Sequence, residues 1–250
     1  YFSASVRGDG TTKFSQNKWG AFWSVGGSWR INQENWMHNA SWINELKLRL
    51  SYGTQGNQGI GGYPSLTRWT ISNSGDVLNP VMSLSQGTPG NPNLTWETSK
   101  QVDLGLDFRF WDRFYGSIDY YHKKTIDMIW ERPMPVSTGL SKRTENIASM
   151  LNSGIEIELG VDIIRTPNTL WTLSINGAHN MNELLSLPPG VGSAKYNGDY
   201  VDGNYIRGIG KDYYTFYLSK YAGVDQKTGK ALLFHTITEE DLSGANMKPG

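Results

Sequence analysis

Three stretches of this 250-residue chain alternate apolar and polar side chains one by one. In residues 102–110, Val102, Leu104, Leu106, Phe108 and Phe110 alternate with Asp103, Gly105, Asp107 and Arg109. In residues 154–163, Ile155, Ile157, Leu159, Val161 and Ile163 alternate with Glu156, Glu158, Gly160 and Asp162. In residues 45–52, Leu46, Leu48, Leu50 and Tyr52 alternate with Glu45, Lys47, Arg49 and Ser51. Successive side chains of a strand point to opposite faces, so a period of two means extended chain with one apolar and one polar face. A helix would need apolar spacings of three and four. Weaker alternation recurs at 2–7, 23–31, 117–120 and 171–176. The pattern predicts seven strands, at about 1–7, 20–31, 42–52, 96–110, 113–124, 153–164 and 169–180.

Composition removes several function classes. Lys plus Arg and Asp plus Glu both number 23, so the net charge is zero. A protein that binds nucleic acid by neutralising phosphates carries a basic surplus, so nucleic acid is not an expected partner. The absence of Cys excludes disulfide scaffolds, thiolate zinc sites and Cys nucleophiles. No window of 18 consecutive apolar residues occurs, so no membrane-spanning helix is expected. A membrane barrel stays open, because its strands alternate and never form a continuous apolar run. Both ends read as cut, and the chain is expected to be a piece of a longer protein.

The predicted connections alternate in length. Those at 8–19, 53–95, 125–152 and from 181 onward are long, and those at 32–41, 111–112 and 165–168 are short. In an antiparallel meander, odd and even connections lie at opposite ends. Short turns at one end and long loops at the other are the asymmetry of an outer-membrane barrel. Trp29, Trp36, Trp42, Trp111 and Trp171 fall near the short-turn end, and Trp19, Trp23, Trp96 and Trp130 near the long-loop end. Two such bands are what an interface-anchored barrel presents to headgroups.

Residues 46–58 read LKLRLSYGTQGNQ, residues 90–97 GNPNLTWE and residues 146–159 NIASMLNSGIEIEL. With Arg7-Gly8-Asp9-Gly10, Lys13-Phe14, Trp19-Gly20 and Tyr221-Ala222-Gly223-Val224, in that order and spacing, the chain resembles the SusC/RagA family of TonB-linked outer-membrane transporters. Thr11-Thr12 and Ala148 depart mildly from the family's pattern. The resemblance implies a barrel of about 22 strands around a plug, of which this chain supplies about seven. It assigns 1–180 to barrel strands and their loops and 181–250 to a long extracellular loop region, with the plug absent from this chain. It further implies a bacterial outer-membrane location, energy from a TonB complex contacted by other parts of the protein, a SusD-like surface lipoprotein as partner, and a glycan or peptide as cargo.

No signature of an enzyme appears. There is no phosphate-binding loop, nucleophile elbow or His-Glu-x-x-His helix. His38, His122, His179 and His235 are isolated, so no metal site and no cofactor are expected. Glu156 and Glu158 lie about 7 Å apart by strand geometry, a separation seen in inverting glycosidases. A water-filled interior lined with charge on every strand explains them more simply. The functional candidates are loop aromatics set among Asn, Asp and Gly: Tyr63, Trp69, Trp130, Tyr196, Tyr200, Tyr205, Tyr213, Tyr214 and Tyr217. They suit stacking on sugar rings, contact with a protein lid, or packing of loop on loop.

The expected fold is therefore all-β, an antiparallel transmembrane barrel present in part. Leu46, Leu48, Leu50, Val102, Leu104, Leu106, Phe108, Ile155, Ile157 and Leu159 are expected to face lipid. Lys47, Arg49, Asp103, Asp107, Glu156 and Glu158 are expected to line the lumen. On that assignment Leu106→Arg costs about 2–4 kcal/mol near the bilayer midplane, and replacement of Asp107 changes little. The alternative is a soluble carbohydrate-binding module or β-sandwich enzyme domain, which would cover the same apolar faces with a second sheet.

Overall fold

In the computed structural model, residues 1–73, 82–87, 89–139, 142–193 and 196–234 are described. His235 lies outside them. In chain order the strands are β1 (Phe2–Gly10), β2 (Trp19–Arg30), β3 (Ile43–Asn57), β4 (Trp69–Asn73), β5 (Met82–Gln86), β6 (Glu97–Phe110) and β7 (Phe114–Pro133). They continue with β8 (Lys142–Arg165), β9 (Leu170–Ser186), β10 (Tyr200–Asp202), β11 (Tyr205–Arg207), β12 (Tyr221–Val224) and β13 (Ala231–Leu233). Seven of them form one antiparallel sheet in the order β1-β2-β3-β6-β7-β8-β9. The seven-strand meander expected from the alternation is the one observed. The sheet is open, with β1 and β9 paired on one side only.

Register aligns the apolar residues of neighbouring strands. One row runs Trp29, Leu48, Leu106, Ile118, Ile157 and Gly177, and the next runs Gly27, Leu50, Leu104, Tyr120, Ile155 and His179. Directly opposed side chains of this kind each contribute roughly 0.2–1 kcal/mol relative to Ala pairs. No second sheet covers the rows among the described residues. Leu50, Leu104, Ile118 and Ile157 remain 55, 43, 37 and 38% exposed. A sandwich would bury them, so the soluble two-sheet alternative is not the fold found.

The opposite face carries charge held in pairs. Arg49 donates from Nε and Nη2 to Asp107 at 2.9 and 2.8 Å, and from Nη2 to Asp119 at 2.7 Å. Lys47 lies 3.5 Å from Asp107. Asp103 accepts from Ser51 and Gln101. Arg49 reaches Asp119 across β6 because Gly105 stands between them. A Cβ at Gly105 would lie 2.4 Å from Asp119 Oδ1 and 2.6 Å from Arg49 Cζ. Asp107 is thus the principal anchor of Arg49. Glu156 and Glu158 are exposed on this face, opposite Asp119 and Ser117 of β7.

The strands reach further than the alternation suggests. β7 extends to Pro133 and β8 begins at Lys142, so the connection expected at 125–152 is a long hairpin joined only through 134–141. Register shifts near Met128 mark the reason: β7 carries an extra residue at Asp127, at φ 56°, and β8 one at Ile147. Each bulge interrupts the alternation that a sequence reading follows. β9 likewise continues to Ser186. Within the loops, β4–β5, β10–β11 and β12–β13 form three short hairpins that no periodicity announces.

At the short-turn end, β6 and β7 meet through Trp111 and Asp112, at φ 51° and 56°. Positive φ at both central residues is the type I′ geometry that matches strand twist. For non-glycine residues it is strained, and neighbours hold it: Trp42 accepts from Trp111 N–H, Asn44 from Asp112 N–H, and Arg165 donates to the Asp112 carbonyl. Trp42 stacks on Trp111 at 5.4 Å and also contacts Phe110. Trp29, Trp36, Trp42, Trp111 and Trp171 are all exposed at this end. Of the four expected in the band at the other end, only Trp19 and Trp23 are exposed. Trp96 is 6% exposed and Trp130 is packed under Tyr213, so neither joins an outer aromatic band.

Gly105→Ala should expel Arg49 from its bridge and cost about 1–3 kcal/mol. Gly27→Ala, whose Cβ meets nothing closer than 3.7 Å, should stay within about 0.5 kcal/mol of the parent. Thermal unfolding of the two variants in detergent checks the difference.

Candidate functional site

The long-loop end holds a small apolar core. Phe14 and Leu94 are fully buried, and Phe22 and Trp96 are each 6% exposed. Trp96 meets Phe14 at 5.8 Å and Phe22 at 5.7 Å, both edge-on. Fully burying a side chain of this size contributes about 1.5–3 kcal/mol. Phe22 sits on the polar face of β2, where the alternation calls for a polar residue. Its room comes from Gly56, where a Cβ would lie 1.9 Å from the Phe22 ring.

Polar side chains fasten this core to the sheet. Asn146 donates to the carbonyls of Thr95 (2.9 Å) and Asp127 (2.7 Å), and its Oδ1 accepts from Thr95 N–H at 3.0 Å. One amide therefore pairs with the Thr95 peptide as a neighbouring strand would, and also holds the β7 bulge. Glu97 accepts from Ile129 N–H and from the Asn57 amide, both at 2.7 Å. Asn91, 6% exposed, donates to the Thr144 carbonyl at 2.9 Å. Ser65 and Lys13 add bonds from neighbouring loops to Lys13 O and Gln58 O. The sequence blocks at 13–14, 19–20, 46–58, 90–97 and 146–159 thus converge on one latch. Their spacing in the chain reflects which loop ends must touch.

Beyond the latch lies an aromatic cluster. Trp130 meets Tyr213 at 5.7 Å, Tyr213 meets Tyr214 at 4.9 Å, and Tyr205 meets Tyr214 at 5.6 Å. Phe216 stacks on Tyr205 at 5.4 Å. Tyr196 and Tyr217 form a separate edge-on pair at 5.5 Å. The Arg207 guanidinium lies 4.5 Å over the Tyr213 ring and 5.8 Å from that of Trp130. Tyr200, on β10, lines a cleft of about 420 Å³ with Trp130, Arg207 and Tyr213. Further along, Asp225 closes the turn before β13: its carboxylate accepts from Lys227 N–H and Thr228 Oγ1, which holds it below the usual carboxylate range.

Of the nine aromatics singled out by sequence, the structure links Trp130, Tyr205, Tyr213 and Tyr214 in one cluster and brings Tyr200 beside it. Tyr63 and Trp69 stand apart. Tyr63 is 52% exposed on the approach to β4, and Trp69 is 57% exposed on β4 beside Ile71 and Leu84. Residues that sequence reasoning missed are Phe22, Asn91, Asn146 and Arg207. The strongest available signal was the block context of Asn91 and Asn146. No group of three or more His, Asp or Glu that could hold a metal occurs among the described residues.

The family description "TonB dependent receptor-like, beta-barrel" matches residues 1–236. The chain is 36% identical over 185 residues to TonB-dependent receptor P26 of Formosa agariphila, covering 72% of this chain and 18% of that protein. It is 35% identical over 205 residues to TonB-dependent receptor SusC of Bacteroides thetaiotaomicron, covering 78% and 20%. Among solved structures, the RagAB peptide transporter superposes with a TM-score of 0.80 at 34% identity, over 94% of this chain and 25% of that one. The chain therefore spans about a fifth of the curated relatives and about a quarter of the solved one.

Asn146→Ala should leave the Thr95 peptide without its partner and cost about 1–3 kcal/mol. Limited proteolysis, followed by mapping of cuts within 89–96, checks it: cleavage there should rise well above the parent's, with the seven-stranded sheet still resistant.

Proposed function

The chain belongs to the TonB-dependent receptor family, as part of its β-barrel, and from that premise we propose that the parent protein imports a large nutrient across a bacterial outer membrane. The observation that carries this reading is the pair of unlike faces on one open sheet. On β6 the apolar positions 102–110 span roughly 27 Å at about 3.4 Å per residue. That is close to the ~25 Å apolar band of an outer-membrane barrel. In lipid, the exposed rows of Leu, Ile, Phe and Val need no further cover, and the inter-strand ladder satisfies the backbone. The face with Arg49, Asp107 and Asp119 then lines an aqueous interior.

On this reading the latch end is extracellular, and β7 and β8 carry their hairpin beyond the membrane. At roughly 3.4 Å per residue, strands of 20 and 24 residues are far longer than the ~9–11 that cross a bilayer. The cargo is an oligosaccharide or a peptide. Energy comes from a TonB complex through parts outside this chain, and a SusD-like lipoprotein covers the loops. Supporting this are the likeness to SusC and to RagAB, the latter described as a peptide importer. The matched relatives are receptors and transporters, and the barrel itself does no covalent chemistry.

Deletion of the gene should abolish growth on one defined oligosaccharide or peptide mixture, restored by the wild-type gene. Unchanged growth on every cargo tested would contradict import. Within the barrel, Leu106→Arg should lower stability by about 2–4 kcal/mol if it lies near the midplane. Glu158→Gln on the other face should be tolerated, and equal effects would contradict the face assignment.

A further inference from the structure

The cleft between the β7–β8 hairpin and the β10–β11 hairpin holds two cations, each tied to a carboxylate of the chain itself. Arg207 pairs with Asp202, and Lys142 with Glu131. The partners differ sharply in burial. Arg207 is 7% exposed, whereas the Asp202 side chain is 54% exposed. Arg207 Nε is buried with no hydrogen-bond partner. A guanidinium in this position, over the Tyr213 ring and beside that of Trp130, needs an anion to offset its desolvation. Its planar fork also has room for more than the single contact that Asp202 makes through Nη1. The exposed carboxylate is the member of the pair free to leave.

Resting on the import reading, we propose that this cleft is a subsite for a carboxylate of an acidic peptide, which displaces Asp202 from Arg207. The cleft volume of about 420 Å³ accommodates one or two residues of such a ligand. The lining favours a peptide over a neutral glycan. Arg207 covers one face of the Tyr213 ring at 4.5 Å, and Trp130 meets Tyr213 edge-on at 5.7 Å, so the guanidinium is the group that the cleft presents at this point. Among the described residues the wall adds Ile129 and Pro133, and its polar groups are tyrosine hydroxyls and charged side chains, which suit a charged ligand. Lys142, with its side chain 49% exposed, supplies a second cation for a neighbouring acidic side chain.

The test measures binding to the full-length protein purified in detergent, with a fluorescent hexapeptide containing two Glu, its Gln counterpart and an oligouronate. The Glu peptide should bind, and the Gln peptide should bind about tenfold more weakly. Arg207→Gln should weaken the Glu peptide by a similar factor, whereas Asp202→Asn should leave its affinity equal or higher. If the Arg207–Asp202 pair only shapes the loop, both variants weaken binding together, and that result overturns the proposal. Equal binding of the Glu and Gln peptides, or binding of the oligouronate alone, also overturns it. Binding in detergent needs no uptake. A failed growth test therefore leaves this measurement intact, and a failed binding test leaves import of another cargo standing.

Discussion

An antiparallel ladder sends neighbouring side chains to opposite faces, and in this sheet every other arrangement follows from keeping that ladder in register. A slip of one residue in any strand would carry its Leu, Ile and Phe onto the charged face and its Asp and Arg onto the apolar one. Register holds because opposed residues reinforce it on both sides. Leu48, Leu106, Ile118 and Ile157 line up on one face, while Arg49 locks Asp107 and Asp119 on the other. Even the bulges respect it. β7 gains a residue at Asp127 and β8 gains one at Ile147, so the alignment of Thr125 with Met150 returns at Ile129 and Asn146.

The same bulges tie the strands to the loops. An extra residue frees backbone groups from the ladder, and the Asn146 amide takes up the Asp127 carbonyl together with both polar groups of Thr95. The latch is thus a continuation of the sheet by side chains, built where a strand gives way to a loop. Phe14, Phe22, Leu94 and Trp96 close over it as the largest buried apolar cluster among the described residues. The sheet itself has no such core, since its apolar face stays exposed. Order at the loop end therefore rests on local packing and hydrogen bonds, and order in the sheet on the ladder and its surroundings.

How far the sequence anticipates this can be followed residue by residue. Residues 102–110 are legible because their alternation is unbroken and both faces are used. Residues 142–152 are not, because a bulge interrupts the phase that defines a strand. Trp96 looks like one more interfacial Trp, yet it is buried, since its position depends on Phe22, which breaks the alternation of β2. The loop tyrosines are visible as a class, but their pairing is set by hairpins as short as Tyr200–Asp202 and Tyr205–Arg207. Arg207 carries no sequence signal at all. It is one basic residue in a Gly-rich loop until folding places it over two rings.

The central claim is that one face of this sheet meets lipid and the other meets water. The chain has no Cys, so single cysteines introduced along 103–108 in the full-length protein, in intact outer membranes, report it directly. A membrane-impermeant thiol reagent should label positions 103 and 107 and spare 104, 106 and 108. Uniform labelling along the strand, or labelling of the Leu104, Leu106 and Phe108 positions in place of their neighbours, would contradict the account.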